Sequence, residues 1–458
     1  MVRIDKEHLV SRLKGFQKVL FISKSPQMNL VWGFFINGLI GFALLSIPWL
    51  HKVNVNVLDN LFTSISAVST TGLSTVTIFE TYNFFGQLVI LLLFQFGGIG
   101  YMTLTTYYLL FSAQKVSHWH KKIIGAEFDM PKKIRIKDFI KSLVVFTIVM
   151  EILGAISLFI AFEMDGMETS KAIWFGIFHS VSSFCTAGFD LFGNSFQNFN
   201  GNLSINLTIS ILSISGSLGF IVVTDLWYRI RNKTKELSFT TKIVSIGLVF
   251  LLTAGTILVY FFEPSLNESE HQVLDAFFLA MTSVTTVGFS TVSTGSLSLS
   301  ILIIITFLMY IGASPSGTAG GMKITTFTAI ISLIKSRLFG QKKITFFSTE
   351  IPTKKIFVAS STFILYTSTI FIFTLLLTFT EDFSYQNIIF EVGSALGTVG
   401  LTTGITPQLS SVGKVFIIAL MFIGRLGVLT FGFALLERDT AKNEEEDDQS
   451  EKEDIAMD

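Results

Sequence analysis

Eight apolar runs, at roughly 30–50, 85–111, 142–162, 203–228, 241–262, 299–330, 356–378 and 413–436, set the limits on what this chain can fold into. A helix needs roughly 20 apolar residues to cross the ~30 Å hydrocarbon core of a bilayer. Between the two members of each successive pair lies a shorter stretch rich in Ser, Thr and Gly, too short and too polar at one end to span. Only 14% of the 458 residues are charged and 50% are hydrophobic. A soluble domain carries about 25% charged residues, so a soluble enzyme, a disordered chain and a nucleic-acid binder are all excluded. The single Cys leaves no disulfide framework. Residues 1–24 are basic and amphipathic and show no signal-peptide cleavage pattern.

The charges set the orientation. Lys52, Lys171 and Lys414 stand in one set of loops, and Lys323 and Arg425 lie inside apolar segments. All the other Lys and Arg, of 33 in total, fall in the N-terminal segment, in the loops 113–141, 229–242 and 335–355, or in the C-terminal tail. Basic residues stay on the cytoplasmic side, so both termini are expected to be cytoplasmic, as an even number of spans requires. The opposite loops are acidic, with Glu163, Asp165, Glu168, Glu263, Glu268, Glu270, Glu381 and Asp382. An acidic outer mouth focuses cations, although the same residues are also ordinary solvated loop charge.

The four short stretches are copies of one pattern. They run to Thr70-Thr71-Gly72-Leu73, Thr186-Ala187-Gly188-Phe189, Thr286-Val287-Gly288-Phe289 and Thr398-Val399-Gly400-Leu401. Their glycines are 116, 100 and 112 residues apart, and ten positions before each stands Phe62, Phe178, Phe278 or Phe390. Small residues in membrane helices are often close-packing residues, but four copies in phase with the flanking spans indicate an internal repeat. Non-helical backbone at membrane depth survives only where it is buried in protein or lines a wet cavity. A half-helix followed by a Thr-x-Gly turn is therefore a re-entrant loop, and four around an axis make rings of carbonyl oxygens. Such rings can replace the hydration shell of an alkali cation. Gly frees the backbone to aim its carbonyls inward, and the Thr hydroxyls add a further ring. The candidate site is Thr70, Thr71, Gly72, Thr186, Ala187, Gly188, Thr286, Val287, Gly288, Thr398, Val399 and Gly400.

These motifs resemble the membrane subunit of the Trk/Ktr/HKT superfamily of cation transporters, most closely the Ktr-type potassium-translocating subunit, from about residue 30 to 437. The resemblance implies an all-α polytopic membrane protein: four pseudo-symmetric helix–re-entrant pore loop–helix repeats around one central pore. The repeats are expected at 30–111, 142–228, 241–334 and 356–437. A cytoplasmic segment 1–29, cytoplasmic loops 112–141, 229–240 and 335–355, and an acidic, disordered tail 438–458 complete the chain. The resemblance also implies potassium selectivity, since a glycine stands at all four filter positions. Serine at the first, here Gly72, goes with sodium transport. Cys185, where the other repeats have Ser69, Thr285 or Gly397, departs from the pattern and reads as a small packing residue.

The second helix of each repeat carries small residues: Gly97-Gly98-Ile99-Gly100, Gly216-Ser217-Leu218-Gly219, Gly312-Ala313-Ser314-Pro315 and Gly424-Arg425-Leu426-Gly427. In the third, the run continues as Ser316, Gly317, Thr318, Ala319, Gly320, Gly321, Met322 and Lys323. Pro and clustered Gly break a helix. A flexible loop at 312–321 below the filter reads as a gate rather than a static kink, and in the resembling family this loop is the intramembrane gate. Arg425, a lone guanidinium in an apolar helix, is expensive unless partnered, by at least ~2.5 kcal/mol. It is expected to bond freed carbonyls of the loop, and the resemblance adds the role of an electrostatic barrier under the filter. Glu151 and Glu391 are expected to make structural hydrogen bonds rather than couple to ions.

The residues leave open a channel-like pathway and a sodium/potassium symporter with tight coupling. A membrane-embedded enzyme would need paired acidic motifs, a zinc set or a Ser/His dyad at matching depth, and none is present. No Walker loop or Gly-x-Gly-x-x-Gly is present, so no nucleotide is expected on this chain, and transported potassium (with or without sodium) is its only ligand. The resemblance supplies a cytoplasmic nucleotide-binding regulatory ring docked on inner loops including 115–137 and 335–355, and a homodimer. Those basic loops equally suit topology and lipid headgroups. Location in the cell membrane follows.

Overall fold

The computed structural model describes residues 26–100, 136–230 and 236–436. The loop 115–135, the N-terminal segment 1–24 and the acidic tail lie outside them. The chain follows one pattern four times: a long helix, a short buried helix, a second helix. The long helices are α1 (Pro26–Leu45), α4 (Ile136–Met164), α8 (Phe239–Phe262) and α12 (Thr353–Thr380). All four are long and apolar enough to cross a membrane. They are apolar all round, as a lipid-facing span must be: on α4, Ile148, Ile152, Ile156 and Ile160 face outward while Leu158 and Phe162 are buried.

The short helices are α2 (Val57–Val68), α5 (Thr169–Phe184), α9 (Gln272–Thr285) and α13 (Tyr385–Leu396). Their recurring Phe62, Phe178, Phe278 and Phe390 are fully buried and anchor them in the core. The second helices are α3 (Phe84–Ile99), α6 (Leu203–Ser217), α10 (Leu299–Tyr310) and α14 (Ser411–Leu426). Side-chain caps start three of them. Asn83, Asn202 and Ser410 accept from the N–H groups of Gly86, Ile205 and Gly413, satisfying donors that a helix start leaves free.

The second spans differ from the continuous runs of the sequence. Residues 203–228 form two helices, α6 and α7 (Phe220–Ile230), bent by 92°. Residues 413–436 form α14 and α15 (Val428–Leu436). The run 299–330 is α10, an irregular loop and α11 (Ile324–Leu338). The breaks fall at glycines in the left-handed region: Gly219 (φ 84°), Gly427 (φ 83°), and Gly100 (φ 84°) at the end of α3. Only Gly adopts such angles without strain.

Each short helix lies against the two helices of its own unit, and each second helix packs on the short helix of the next. α3 meets α5, α6 meets α9, α10 meets α13, and α14 returns to α2. The contacts close in a cycle. The carboxylates Glu263 and Glu381 sit on one face of that cycle as helix caps. Glu263 accepts from Ser265 and from the Ser298 N–H at 2.9 Å, and Glu381 accepts from the Ser410 N–H at 3.0 Å. Burial raises the affinity of Glu263 for its proton, but the donors around it outweigh burial and hold its carboxyl below the usual range.

Candidate functional site

All four short helices end in the same way. The N–H groups of Thr71, Ala187, Val287 and Val399 reach back five residues to the carbonyls of Ser66, Ser182, Thr282 and Ser394, at 2.9, 2.8, 3.1 and 2.8 Å. This six-to-one bond is the Schellman closure, whose preceding residue is left-handed and usually Gly. Here that residue is Thr70 (φ 51°), Thr186 (φ 49°), Thr286 (φ 56°) or Thr398 (φ 47°). A β-branched residue in this region costs about 1–3 kcal/mol and persists only where its surroundings enforce it. The Thr70 and Thr398 hydroxyls are buried without a hydrogen-bond partner, Thr186 Oγ1 donates to the Cys185 carbonyl at 2.8 Å, and Thr286 Oγ1 accepts from the Gly320 N–H at 3.0 Å.

The four glycines two residues on meet in a ring. All are left-handed, with φ of 88° at Gly72, 69° at Gly188, 83° at Gly288 and 95° at Gly400. A Cβ on Gly72 would strike the Ala187 carbonyl oxygen, one on Gly188 that of Val287, one on Gly288 that of Val399, and one on Gly400 that of Thr71, all under 3.0 Å. The cycle runs first, second, third, fourth, first. The twelve residues expected from the sequence are thus brought together, with backbone too close for any larger side chain.

A cavity of about 440 Å³ opens on the ring. The four glycines, the extended segments after them and hydroxyls such as Ser74, Ser290 and Thr402 line it, and among the described residues Asp190 is the only ionisable one that does. Asp190 Oδ1 accepts from the N–H groups of Phe192 and Gly193 at 2.8 and 2.7 Å. Among the described side chains, none of the acidic outer-loop residues lines this cavity. Glu263 and Glu381 serve as helix caps, and hydroxyls and backbone form much of the cavity wall.

Against the threonine side of the ring lies the segment between α10 and α11. Two short parallel strands, β1 (Ile311–Gly312) and β2 (Met322–Lys323), close its ends. Between them the chain bonds to the second, third and fourth units. Thr318 N–H and Ser314 N–H donate to the carbonyls of Gly216 and Ser217 at 3.1 and 3.2 Å. Ser316, at φ 66°, caps α7: its carbonyl accepts from the Phe220 N–H at 3.1 Å and its Oγ from the Ile221 N–H at 3.2 Å. A Cβ on Gly317 would meet the Ser217 carbonyl at 2.7 Å. Lys323 Nζ donates to the carbonyls of Ala319 and Gly320 at 2.6 and 3.1 Å. Arg425 donates to Thr318 O at 2.5 Å, to Gly98 O at 3.2 Å and to Gly97 O. Its guanidinium, which cannot shed its charge, reaches one carbonyl of the loop, as expected from the sequence, and two at the end of α3, which were not expected.

The other membrane carboxylates are hydrogen-bonded. Glu151 Oε2 accepts from Gln95 Nε2 at 3.2 Å, and Glu391 accepts from Thr402 at 2.8 Å and from Thr406. Cys185 is buried against Gly98, with Sγ 3.3 Å from Gln95 Oε1. Two residues that no sequence motif singled out, His179 and Asp275, tie down the segments beside the cavity. His179 Nε2 accepts from the Leu191 N–H at 3.1 Å, and Asp275 Oδ1 accepts from Thr291 Oγ1 at 2.9 Å.

Apolar spans around a ring of backbone carbonyls define a polytopic membrane protein of the transport class. Residues 37–443 match the cation transport protein family TrkH, and the chain belongs to that family. It is 33% identical over 423 residues to the potassium/sodium uptake protein NtpJ of Enterococcus hirae, covering 90% of this chain and 93% of that one. It is 32% identical over 421 residues to the Ktr system potassium uptake protein B of Bacillus subtilis, covering 91% and 94%. The crystal structure of the potassium transporter TrkH from Vibrio parahaemolyticus has the same fold, with a TM-score of 0.73 at 20% identity over 90% of this chain and 85% of that one. The chain is a transport protein, not an enzyme.

Proposed function

We propose that the chain carries potassium across the cell membrane through the ring, as the pore of four pseudo-symmetric repeats. The carbonyls of Thr71, Ala187, Val287 and Val399 stand in for water around the dehydrated ion. The hydroxyls of Thr70, Thr186, Thr286 and Thr398 form the inner site. The observation that carries this reading is the cyclic contact of Gly72, Gly188, Gly288 and Gly400 with those carbonyls. Two buried hydroxyls without a partner, on Thr70 and Thr398, suit a site completed by a cation.

The segment 312–321 is the gate. It lies across the threonine end of the ring, with Arg425 and Lys323 on its carbonyls. The Arg425 guanidinium at that position repels a permeating cation, and withdrawal of the loop removes the block. Relatives named as parts of the Ktr system support a partner, a cytoplasmic nucleotide-binding ring that docks on inner loops including 335–355. A homodimer with both termini cytoplasmic completes the reading.

A sodium-coupled symporter is the second reading, favoured by the Enterococcus relative's name for both ions. Uptake of rubidium or potassium by the purified chain in liposomes, with and without sodium, separates the two. Uptake independent of sodium supports the channel-like pathway, uptake that requires sodium supports coupling, and no ion-specific uptake in either condition overturns both.

A further inference from the structure

The ring is only as selective as its walls are fixed, and three of its four sides share an anchor. In the second unit, buried His179 on α5 accepts the N–H of Leu191, three residues after Gly188. In the third, buried Asp275 on α9 accepts the hydroxyl of Thr291, three residues after Gly288. In the fourth, buried Glu391 on α13 accepts the hydroxyl of Thr402, two residues after Gly400. Each ties a short helix to the extended segment just past its glycine. In the first unit α2 makes no such bond among the described residues; its Asn60 accepts from Tyr82, ten residues after Gly72, at 2.7 Å.

We infer that His179 and Asp275 are positioning residues that set the ion discrimination of the ring; this rests on the transport reading above. The bond at His179 demands one tautomer. Nδ1 lies 2.7 Å from the Phe175 carbonyl, which can only accept, so the proton is on Nδ1 and bare Nε2 receives Leu191. The ring plane is held by Phe192, stacked at 4.7 Å and 11°. At Asp275 the second oxygen accepts from Ser269 Oγ at 2.7 Å, so the carboxylate is fixed at both ends. A wall fixed in this way keeps its carbonyls at the spacing of the larger ion. A wall released from its anchor can close on a smaller one.

The test is competition between potassium and sodium for uptake by the full chain in liposomes. His179→Ala is expected to lower the preference for potassium over sodium about fivefold, the scale of one lost hydrogen bond. His179→Gln, whose amide oxygen can accept from Leu191, is expected to recover part of it. Thr291→Val removes the hydroxyl at nearly constant volume and is expected to shift the preference in the same direction. A purely structural role would reduce uptake of both ions alike and leave the ratio unmoved, and an unmoved ratio in folded His179→Ala or Thr291→Val overturns the inference. Nitrogen NMR of the wild-type chain reads His179 without any variant. A neutral ring protonated on Nδ1 supports the anchor, and a proton on Nε2 overturns it. Wild-type chain that fails to discriminate between the ions sinks the transport reading itself; wild-type chain that discriminates while the variants match it sinks only the anchors.

Discussion

At the scale of single residues, the site is built from strain and closeness that no other residue types supply together. Threonine is a poor choice for a left-handed cap, and four of them at equivalent positions cost several kcal/mol in all. On the proposed reading they persist because their hydroxyls serve the inner site, which glycine could not do. Two residues on, the requirement reverses. A Cβ on Gly72 would lie 2.6 Å from the Ala187 carbonyl and 2.9 Å from Gly188 Cα. Gly72→Ser must therefore push the first and second walls apart and disturb two of the four carbonyls. We expect its preference for potassium over sodium to fall at least tenfold while uptake persists, read by ion competition in liposomes; an unaltered preference in folded protein would remove Gly72 from the filter. The Thr-x-Gly pattern was legible because it recurs four times at nearly equal spacing. The left-handed threonines were not, since nothing in a Thr codon position signals positive φ. Nor were His179 and Asp275: a buried histidine and a buried aspartate look like loop residues until the segments they hold are seen beside them.

At the scale of elements, the segment 312–321 is, among the described residues, the one interruption that is not a simple bend. The breaks at Gly219 and Gly427 are single left-handed residues between helices, whereas this one spans from Gly312 to Lys323. Pro315 and the clustered glycines made it visible in the sequence. Its contacts were not visible, because they depend on helices distant in the chain: Gly216 on α6 and Arg425 on α14, which itself reaches Gly97 on α3. Ser316, capping α7, links the loop to a helix on the far side of the 92° bend. Removing Ser314–Gly320 takes away the proposed gate, the α7 cap and the partner of Thr286 at once. Uptake of potassium by the deletion variant in liposomes is expected to rise severalfold over that of the intact chain. A folded deletion variant with unchanged uptake would mean that the segment is a fixed kink. Arg425→Ala removes three hydrogen bonds from a charged donor, each worth roughly 1.5–3 kcal/mol. It is expected to raise uptake in the same assay, because the loop loses its tie to α14 and α3 and the pore loses one positive charge.

At the scale of the molecule, a cycle made from a single chain has one seam without a covalent link. Units one to four follow in sequence, but the fourth must find the first across the whole length of the chain. The apolar runs foretold four long helices well, because hydropathy alone decides a span. They could not foretell the closure, which rests on α14 packing against α2. An ion pair sits at that seam: Lys414 Nζ lies 2.7 Å from Asp59 Oδ1, with side chains only 15% and 14% exposed. Asp59 stands in the first turn of α2 and Lys414 in that of α14. Sheltered from water, the pair interacts more strongly than a surface pair, whose worth is about 0–1 kcal/mol. Loss of one partner leaves the other charge stranded, at a cost of about 1.5–3 kcal/mol. Lys414→Met should therefore lower the thermal unfolding temperature of the detergent-solubilised chain by several degrees. Asp59→Asn added to it should restore part of the loss, because no charge then remains unpaired. Potassium held at the proposed filter should raise the unfolding temperature; since the seam also holds the Gly400–Thr71 side of the ring, the single variant should lose that gain along with stability, and the double variant should regain both. A single variant with wild-type stability would show that apolar packing of α14 on α2 closes the cycle by itself.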